Sequence, residues 1–402
     1  MPASSGIQNY TSKNPLVYVT RDIERALGIV PTGGYFIVSN DSAHGRRIQG
    51  KHPENVVLVK EDAALDTFDL LSLPEVQEFI GQKGASVVVF QNTPRIERLA
   101  EEKGWNLLNP SADLAQSIEE KISQVAWLRN DAALLPPHRI RTVKEVSYDG
   151  TKFVLQFNHS HTGQGTHVIE SAKQLEELAA KFPNRECRTV EFIDGPVFTV
   201  NVAVGKAVVA GNISYQITGL APFTDLPFST IGNDWALPHD PRYAKASADI
   251  RSMAQRIGRR MKDAGWRGLF GIDAIYDEQA GKTYLLEINA RQPASAVFES
   301  SLQKAAAPGK LSIFEAHLAC LIGIDSGAEL GEICSGSQIV SRVTKVPRSL
   351  DAEALRAKGF AVTSYENSLH NKELFRIQSG ESIIEAHETL NRLGAFVASC
   401  IT

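Results

Sequence analysis

Short apolar runs alternate with amphipathic stretches between residues 15 and 110. The runs are Pro15–Val19, Tyr35–Val38, Asn55–Val59 and Ser86–Phe90. Continuous apolar runs of this length are typical of strands that are covered on both faces. Leu73–Lys83 and Arg95–Gly104 have helical spacing and end near glycine, so the alternation predicts βαβ units around a parallel sheet. No GxGxxG motif follows the first strand, which weakens the case for a dinucleotide-binding domain.

The pattern changes after residue 110. Ser111 is a suitable N-cap for a helix from Ala112 to about Leu128, and the pair Pro136-Pro137 marks a boundary after it. An amphipathic helix is predicted over about Arg242–Ala264, with its arginines on a solvated face. The other predicted elements are hairpin-like strand pairs: Lys152–Phe157 with His167–Glu170, Phe198–Val204 with Ala207–Ile213, and Leu269–Tyr276 with Thr283–Asn289.

These patterns divide the chain into three regions. Residues 1–112 are predicted to form an α/β domain with a parallel sheet, and residues 113–327 an α+β domain with subdomains over 113–190 and 191–327. Residues 328–402 are predicted to form a small C-terminal α+β region. Its predicted elements are a strand near Gln338–Thr344 and helices near Asp351–Lys358 and Ser382–Leu393.

Composition narrows the class of protein. The 402 residues are 43% hydrophobic and 22% charged, values that exclude wholesale disorder. The net charge of −4 supplies no global attraction for nucleic acid or an anionic membrane. The N-terminus has no signal-peptide pattern, no apolar run approaches the length of a membrane helix, and the four cysteines are scattered. We therefore expect a cytoplasmic protein with neither a nucleic-acid partner nor a membrane partner.

The most informative polar residues follow one predicted strand near residue 287. Residues two apart on a strand share a face, so Glu287, Asn289 and Arg291 point one way. Leu286 and Ile288 then point into the core. Three polar side chains therefore converge on one side of this strand.

The preceding strand adds a second carboxylate. If Tyr276 faces Tyr284, Asp273 lies directly opposite Glu287, and like charges at that spacing repel. Two carboxylates and the amide oxygen of Asn289 suit Mg²⁺, a hard cation that binds oxygen ligands. The alternative is a pair of exposed hairpin carboxylates balanced by arginine or lysine, which is commoner for an isolated hairpin. The Glu-x-Asn-x-Arg series favours the metal site.

A loop rich in serine, threonine and glycine follows the strand near residue 155. Glycines let backbone N–H groups turn towards a phosphate, and hydroxyl groups add donors. The candidates are Ser160, Thr162, Gly163, Gly165 and Thr166. An ordinary hairpin turn is the alternative, because the loop lacks the Walker pattern. Downstream, Arg188–Thr199 reads either as a simple hairpin or as a hinge.

Together, these segments resemble the ATP-grasp superfamily over roughly residues 1 to 325. The resemblance implies a Rossmann-like domain at residues 1–112, followed by an ATP-grasp fold of two subdomains. It also implies an enzyme that binds ATP between the subdomains and uses Mg²⁺ to phosphorylate a carboxylate. An amine then displaces the phosphate.

The resemblance also assigns roles to residues. Asp273 and Glu287 match the metal carboxylates, Asn289 matches the metal-bound amide, and Arg291 matches a catalytic arginine that faces the reacting phosphate or substrate. The remaining matches are nucleotide-binding positions: Lys121 as the first ATP lysine, Ser160 to Thr166 as the phosphate loop, and Glu191, Phe192 and Ile193 as the hinge beside adenine. ATP with two Mg²⁺ ions, for which Mn²⁺ can substitute, is the implied cofactor set.

Two positions depart from the family pattern. Gln156 stands where many members have a phosphate-binding lysine, and Val197 stands near the place of a ribose-binding glutamate. One cation is therefore missing beside the α- and β-phosphates. The absence of this cation leaves three alternatives: weaker ATP binding, compensation by Lys121 and Arg291, or loss of catalysis.

The leading hypothesis is an ATP-dependent ligase that joins a small-molecule carboxylate to an amine. The alternatives are a carboxylase or carbamoyl-phosphate-type enzyme and a non-catalytic ATP-binding sensor. The two substrates are the expected partners, and a homodimer is a further expectation. Asn212–Gly219 and Ser229–Trp235 are polar stretches that read either as lining for the substrate pocket or as ordinary loops.

Overall fold

A computed structural model describes residues 3–158, 165–324, 329–365 and 367–402 of the chain. Its N-terminal part contains a four-stranded parallel sheet, as predicted. The elements are α1 Ala3–Thr11, β1 Leu16–Val19, β2 Tyr35–Asn40, α2 Ala43–Lys51, β3 Val56–Val59, α3 Thr67–Ser72, α4 Pro74–Lys83, β4 Ser86–Val89 and α5 Pro94–Lys103. The strand order in the sheet is β3-β2-β1-β4.

Local signals account for the helices of this part. Helix α5 has proline at its first position and is capped by the side chain of Thr93, which accepts a hydrogen bond from Ile96 N at 3.3 Å. It ends at Gly104, where φ is 66°. The sheet is buried on both faces, which explains its unbroken apolar strands: Val17 packs towards α5, whereas Tyr18 packs against Phe314 from much later in the chain.

The single helix predicted over residues 112–128 is wrong. Two helices are present, α6 Ala112–Glu119 and α7 Ser123–Leu128. They are separated because Asn158 binds the intervening backbone: its Oδ1 accepts from Ile122 N at 2.8 Å, and its Nδ2 donates to Glu120 Oε2 at 2.5 Å. The break sets Lys121 at a bend between the two helices.

A small antiparallel sheet follows, in the order β5-β8-β6-β7. Its elements are β5 His138–Thr142, β6 Phe153–Phe157, β7 Thr166–Ile169, α8 Ala172–Lys181 and β8 Glu186–Glu191. One face is apolar, with Leu155, Phe157 and Cys187 packed against Leu175 and Leu178 of α8. Because side chains alternate along a strand, the neighbours of these residues lie on the opposite face.

A second antiparallel sheet is larger, and its last strand along the chain ends at Ser379. It has the strand order β14-β13-β9-β11-β12-β15-β17-β16, and β10 pairs with β9. Its strands are β9 Val197–Val204, β10 Val208–Ala210, β11 Ser214–Thr218, β12 Thr230–Asp234, β13 Gly268–Asp277, β14 Lys282–Asn289, β15 Ser337–Arg342, β16 Ala361–Ser364 and β17 Glu373–Ser379. The helices in this region are α9 Ala244–Asp263, α10 Ala296–Ala306, α11 Ile313–Leu321 and α12 Ala352–Ala357.

Three sequence-based interpretations need correction here. The expected strand Ala207–Ile213 is shorter, because only residues 208–210 pair with β9. The stretches 212–219 and 229–235 are not loops, since most of their residues form β11 and β12 inside the sheet. Finally, β8 and β9 do not form a hairpin. They belong to different sheets, so the segment between them connects the two sheets.

The hairpin β13–β14 contains an irregularity that shifts its register. Tyr276 pairs with Thr283 rather than with Tyr284, whereas Asp273 pairs with Glu287 as predicted. The pairing shifts because Leu286 is an extra residue in β14. The bulge also reverses the predicted inward residue: Leu285, not Leu286, is fully buried in the core.

The C-terminal region extends the large sheet through β15, β17 and β16. A helix over Ser382–Leu393 is wrong: the final elements are β18 Ile384–Ala386, β19 Thr389–Leu390 and α13 Arg392–Ser399. The buried Asp234 carboxylate accepts from Ser382 Oγ at 2.7 Å and Ile383 N at 3.0 Å, which holds this backbone in an extended form. Asn391 then caps α13.

Among the described residues, five short 3₁₀ segments connect these elements: Ile23–Ala26, Arg129–Leu134, Val143–Glu145, Leu237–His239 and Pro241–Tyr243. The structure describes all four cysteines, and none of them forms a disulfide bond. Within the described parts of the chain, the helices lack the combination of length and apolar character needed to cross a membrane.

Candidate active site

Asp273 and Glu287 lie side by side at the centre of the candidate site. They are paired residues on adjacent strands, and Thr199 of β9 pairs with Asp273 from the other side. Cross-strand partners have Cβ atoms about 4.5–5.5 Å apart, so the two carboxylates share one small volume. The sequence predicted this juxtaposition correctly, although the register it assumed nearer the turn was wrong.

The two acids have opposite electrostatic tendencies. Burial, followed by the charge of Glu287, raises the pKa of Asp273 to about 6. Burial also acts to raise the pKa of Glu287, but Lys121 and Arg291 outweigh it and hold that pKa below its usual range. Glu287 is therefore the more acidic of the two carboxylates, and Asp273 bears the cost of their repulsion.

Lys121 is the nearest cation to the pair. Its Nζ lies 2.8 Å from Glu287 Oε1, and the residue is only 8% exposed. The break between α6 and α7 permits this approach, because it turns the chain at Lys121 towards β14. The sequence-predicted nucleotide lysine and the predicted metal carboxylates therefore meet in one place.

Asn289 and Arg291 complete a chain of contacts along the same side of β14. Asn289 Nδ2 donates to Asp273 Oδ2 at 3.0 Å, and Arg291 Nη1 donates to Asn289 Oδ1 at 2.9 Å. Arg291 is also paired with Glu119 at the end of α6. Burial raises the pKa of Glu119, although Arg291 opposes that shift. Sequence reasoning missed Glu119, whose only signal was its position two residues before Lys121.

The residue after Arg291 is anchored in the N-terminal domain. Gln292 Oε1 accepts from Tyr18 Oη at 2.8 Å, and Gln292 Nε2 donates to the carbonyl of Arg25 at 2.8 Å. Its backbone N–H donates to the carbonyl of Phe90 at 3.3 Å. Gln292 is 2% exposed, so these bonds are shielded from water. The parallel sheet thus fixes the backbone that carries Arg291.

The side chain of Gln156 is hydrogen-bonded to an arginine that sequence reasoning did not single out. Arg188 pairs directly with Gln156 across β6 and β8. Its Nε and Nη2 donate to Gln156 Oε1 at 3.0 and 2.8 Å. Arg188 is 1% exposed, and burial lowers its pKa to about 10 although Glu287 acts in the opposite direction. A cation is therefore present one strand away from the expected lysine.

The predicted phosphate loop is described only in part. Ser160, Thr162 and Gly163 lie outside the described residues. Gly165 is buried and its carbonyl accepts from Phe157 N at 2.8 Å, whereas Thr166 is exposed at the start of β7.

The predicted hinge lies between the two sheets. Glu191 ends β8, and its N–H donates to the carbonyl of Pro137 at 3.1 Å. Phe192 stacks under Lys152, whose Nζ is 3.9 Å from the ring centroid. Ile193 follows in the connection, and Val197 begins β9. Backbone groups of Glu191, Phe192 and Ile193 are thus located where the small sheet passes into the large one.

The donor set suits a hard cation held by few protein ligands. Among the residues that the structure describes, no group of three or more His, Cys, Asp or Glu side chains is arranged to hold a metal ion. The available oxygens are those of Asp273 and Glu287, with the amide of Asn289 beside them. Mg²⁺ fits such a set, because it takes one or two carboxylates and completes its shell with water and phosphate oxygens.

Comparisons with known proteins show what the sequence and the fold are similar to. Residues 118–295 match a family model described as an ATP-grasp domain. A comparison with curated protein sequences gives no match.

Several solved structures share the fold over nearly the whole chain. N5-carboxyaminoimidazole ribonucleotide synthetase from Thermotoga maritima is 14% identical, with a TM-score of 0.62, and the alignment covers 97% of this chain and 99% of that one. L-amino acid ligase from Bacillus licheniformis is 13% identical, with a TM-score of 0.60 and coverages of 96% and 98%. N5-carboxyaminoimidazole synthetase from Staphylococcus aureus, complexed with ADP, is 12% identical, with a TM-score of 0.60 and coverages of 94% and 93%.

Proposed function

We propose that this protein is an ATP-dependent ligase that joins a small-molecule carboxylate to an amine, because residues 118–295 match the model of an ATP-grasp domain. The observation that carries the proposal is the direct pairing of Asp273 with Glu287 beside Lys121, Asn289 and Arg291. An exposed hairpin would hold two such acids apart in water. Here they lie close to two cations, Lys121 and Arg291. The site is located where the N-terminal domain, the small antiparallel sheet and the large sheet meet.

Asp273 and Glu287 would hold Mg²⁺. Asn289 would supply a third oxygen once its amide turns, because its Nδ2 rather than its Oδ1 faces Asp273. When bound, Mg²⁺ supplies charge neutralisation at the phosphate oxygens during phosphoryl transfer. Lys121 balances Glu287 in the absence of the ion, so the acids need not be protonated before a metal arrives. Mn²⁺ prefers the same oxygen ligands and is the natural substitute.

The chemistry needs positioning and charge more than a nucleophilic side chain. A carboxylate oxygen of the acid attacks the γ-phosphorus of ATP, which releases ADP and forms an acyl phosphate. The amine then attacks the acyl carbon, and inorganic phosphate leaves as the amide bond forms. Arg291 would stabilise the negative charge that develops at the acyl carbon and its leaving phosphate. Glu119 and Asn289 orient its guanidinium for that task.

Adenine would meet the backbone of Glu191, Phe192 and Ile193, because this connection joins the two sheets that would enclose the nucleotide. The triphosphate would then extend towards Lys121 and the carboxylate pair. Gly165 and Thr166, with Ser160, Thr162 and Gly163 of the same loop, would cover the phosphates. Two structural neighbours support the class of ligand: one was solved with ADP, and another is an L-amino acid ligase.

ADP release tests the proposal. Purified protein is incubated with ATP, Mg²⁺ and crossed panels of small acids and amines, and ADP formation is followed with a coupled assay. We expect ADP release that requires both an acid and an amine, with mass spectrometry identifying the amide. Binding of ATP without turnover across broad panels would instead favour a non-catalytic sensor. The Glu287→Gln variant serves as the inactive control.

A carboxylase-like reaction is the second candidate function. It is supported by Arg291 and by two structural neighbours, N5-carboxyaminoimidazole synthetase and N5-carboxyaminoimidazole ribonucleotide synthetase. In this version, bicarbonate takes the place of the carboxylate and the amine becomes carboxylated. ADP release that requires bicarbonate, and ceases when bicarbonate is removed by degassing, would select this reaction over amide formation.

A further inference from the structure

We propose that Arg188 binds the phosphates of the nucleotide and supplies the charge that Gln156 lacks. This inference rests on the proposed function, because it concerns how the same site holds ATP. It assigns a ligand-binding role to a residue whose sequence position gave no indication of one. The argument rests on the face that Arg188 occupies, on its hydrogen bonds, and on the unusual burial of its charge.

The first observation is the direction of the side chain. Gln156 and Arg188 are paired residues whose neighbours Leu155, Phe157 and Cys187 fill the apolar face of the small sheet. Because successive side chains alternate, Gln156 and Arg188 share the opposite face.

That opposite face is directed towards the candidate active site. Asn158 lies two residues after Gln156, and its side chain binds the backbone of Ile122 and the carboxylate of Glu120. Lys121 lies between those two residues and pairs with Glu287. The face that carries Arg188 is therefore continuous with the metal carboxylates.

The second observation is that the charge of Arg188 has no carboxylate partner within hydrogen-bonding distance in the described chain. Its described bonds go to the neutral amide of Gln156, and its Nη1 has no hydrogen-bond partner among the described residues. Arg376, which is 8% exposed, has Glu373 at 2.9 Å. Glu287 acts on Arg188 only through its charge, without a hydrogen bond. A buried cation that lacks a hydrogen-bonded counterion is costly, so the arrangement indicates an anion that joins it later.

The third observation is the geometry at Gln156. One oxygen of this residue accepts from both Nε and Nη2, which fixes the plane of the guanidinium and leaves Nη1 free to donate. A lysine at position 156 would repel Arg188 and could not accept these bonds. Gln156 and Arg188 therefore form a matched pair in which the cation has moved from β6 to β8. Charge-assisted bonds from arginine suit phosphate oxygens.

Calorimetric titration of ADP, AMP and adenosine with Mg²⁺ present tests this role. Arg188→Gln is expected to weaken ADP binding by about tenfold to a hundredfold, as loss of a charge-assisted bond does, and to leave adenosine binding within about twofold. The double variant Gln156→Lys/Arg188→Gln, which moves the cation back to β6, is expected to recover most of that loss. Arg188→Lys is expected to lie between the single variant and the wild type.

The outcomes distinguish this inference from the proposed function. Wild-type protein that does not bind ADP contradicts both. Wild-type binding with an Arg188→Gln variant that binds ADP equally well contradicts the role of Arg188 alone. An equal loss for ADP and adenosine points to a structural role and also overturns the inference.

If Arg188→Gln does not fold, the wild-type protein crystallised with ADP and Mg²⁺ gives the answer. Nη1 of Arg188 within about 3 Å of a phosphate oxygen supports the assignment, and a guanidinium turned away from the phosphates refutes it.

Discussion

Nζ of Lys121 lies 2.8 Å from Oε1 of Glu287, a carboxylate that also faces Asp273 across the hairpin. A lysine from a helix break thus occupies the position beside the acids that a divalent cation would also favour. The arrangement stabilises two neighbouring acids in the absence of metal. A metal ion and Lys121 would therefore compete for the carboxylate of Glu287. This competition can be measured as changes in stability and in metal binding.

The Lys121→Met variant tests this balance. Removing the cation leaves two half-buried carboxylates facing each other, so we expect the free energy of unfolding without metal to fall by about 1 kcal/mol. Millimolar Mg²⁺ should restore part of the loss. The matched control is Lys245→Met, which breaks an exposed pair with Asp249 and should leave the free energy of unfolding nearly unchanged. Equal effects of the two substitutions in urea unfolding would argue against the role given to Lys121.

The raised pKa of Asp273 predicts that the affinity for Mg·ADP falls as the pH is lowered. Its pKa in the folded protein is raised to about 6, so the carboxyl is protonated and unable to bind metal at lower pH. The affinity for Mg·ADP should therefore fall by up to about tenfold for each pH unit below 6. Adenosine affinity, measured in parallel, should change little.

The same shift affects stability in the absence of metal. A raised pKa means that the charged form costs stability, a cost absent below about pH 4 and fully present above about pH 6. Asp273→Asn should consequently stabilise the metal-free protein above pH 6 and leave it unchanged near pH 4. Stabilisation that is the same at both pH values would indicate a different cause.

Substitutions at Arg291 and Glu119 are expected to lower kcat more than they change the KM for the nucleotide. Arg291→Lys keeps the charge but loses the planar donors, and should lower kcat by about a hundredfold or more with a small change in nucleotide KM. Glu119→Gln removes an orienting partner and should lower kcat by about tenfold. Glu329→Gln, which breaks an exposed pair with Lys310, is the control. A parallel rise in KM for ATP would assign Arg291 to nucleotide binding instead.

Gln292 predicts coupling between the N-terminal domain and the catalytic strand. Gln292→Leu loses bonds to Tyr18 and to the carbonyl of Arg25, and should reduce stability by about 2–4 kcal/mol. A double-mutant cycle with Tyr18→Phe should give a coupling energy of about 1 kcal/mol. Tyr35→Phe, whose hydroxyl bonds to the carbonyl of Ala26, should show no coupling to Gln292.

Local patterns in the sequence were sufficient to predict those parts of the fold and the site that depend on residues close together in the chain. The parallel strands around Val17 follow from unbroken apolar runs, and the pairing of Asp273 with Glu287 follows from alternation across a short turn. Errors arose where tertiary contacts override local preference. Asn158 interrupts the helix expected over 112–128, and Asp234 holds Ser382 and Ile383 in an extended chain where helical spacing suggested a helix.

Sequence analysis missed two residues of the site, Arg188 and Glu119, for a related reason. Arg188 is recognisable only when β8 is placed beside β6, and the connection between these strands contains both β7 and α8. Glu119 is recognisable only when the end of α6 is placed beside Arg291, far along the chain. The bulge at Leu286 is a one-residue irregularity that leaves the periodic pattern readable on either side. Single-sequence periodicity contains no information about these long-range registers.

The most direct measurement is a crystal structure of the protein with a non-hydrolysable ATP analogue and Mn²⁺, in which anomalous scattering locates the metal. The account predicts manganese bonded to carboxylate oxygens of both Asp273 and Glu287 at about 2.1 Å and in contact with the phosphates. A nucleotide bound elsewhere, or manganese bound away from both acids, would contradict it.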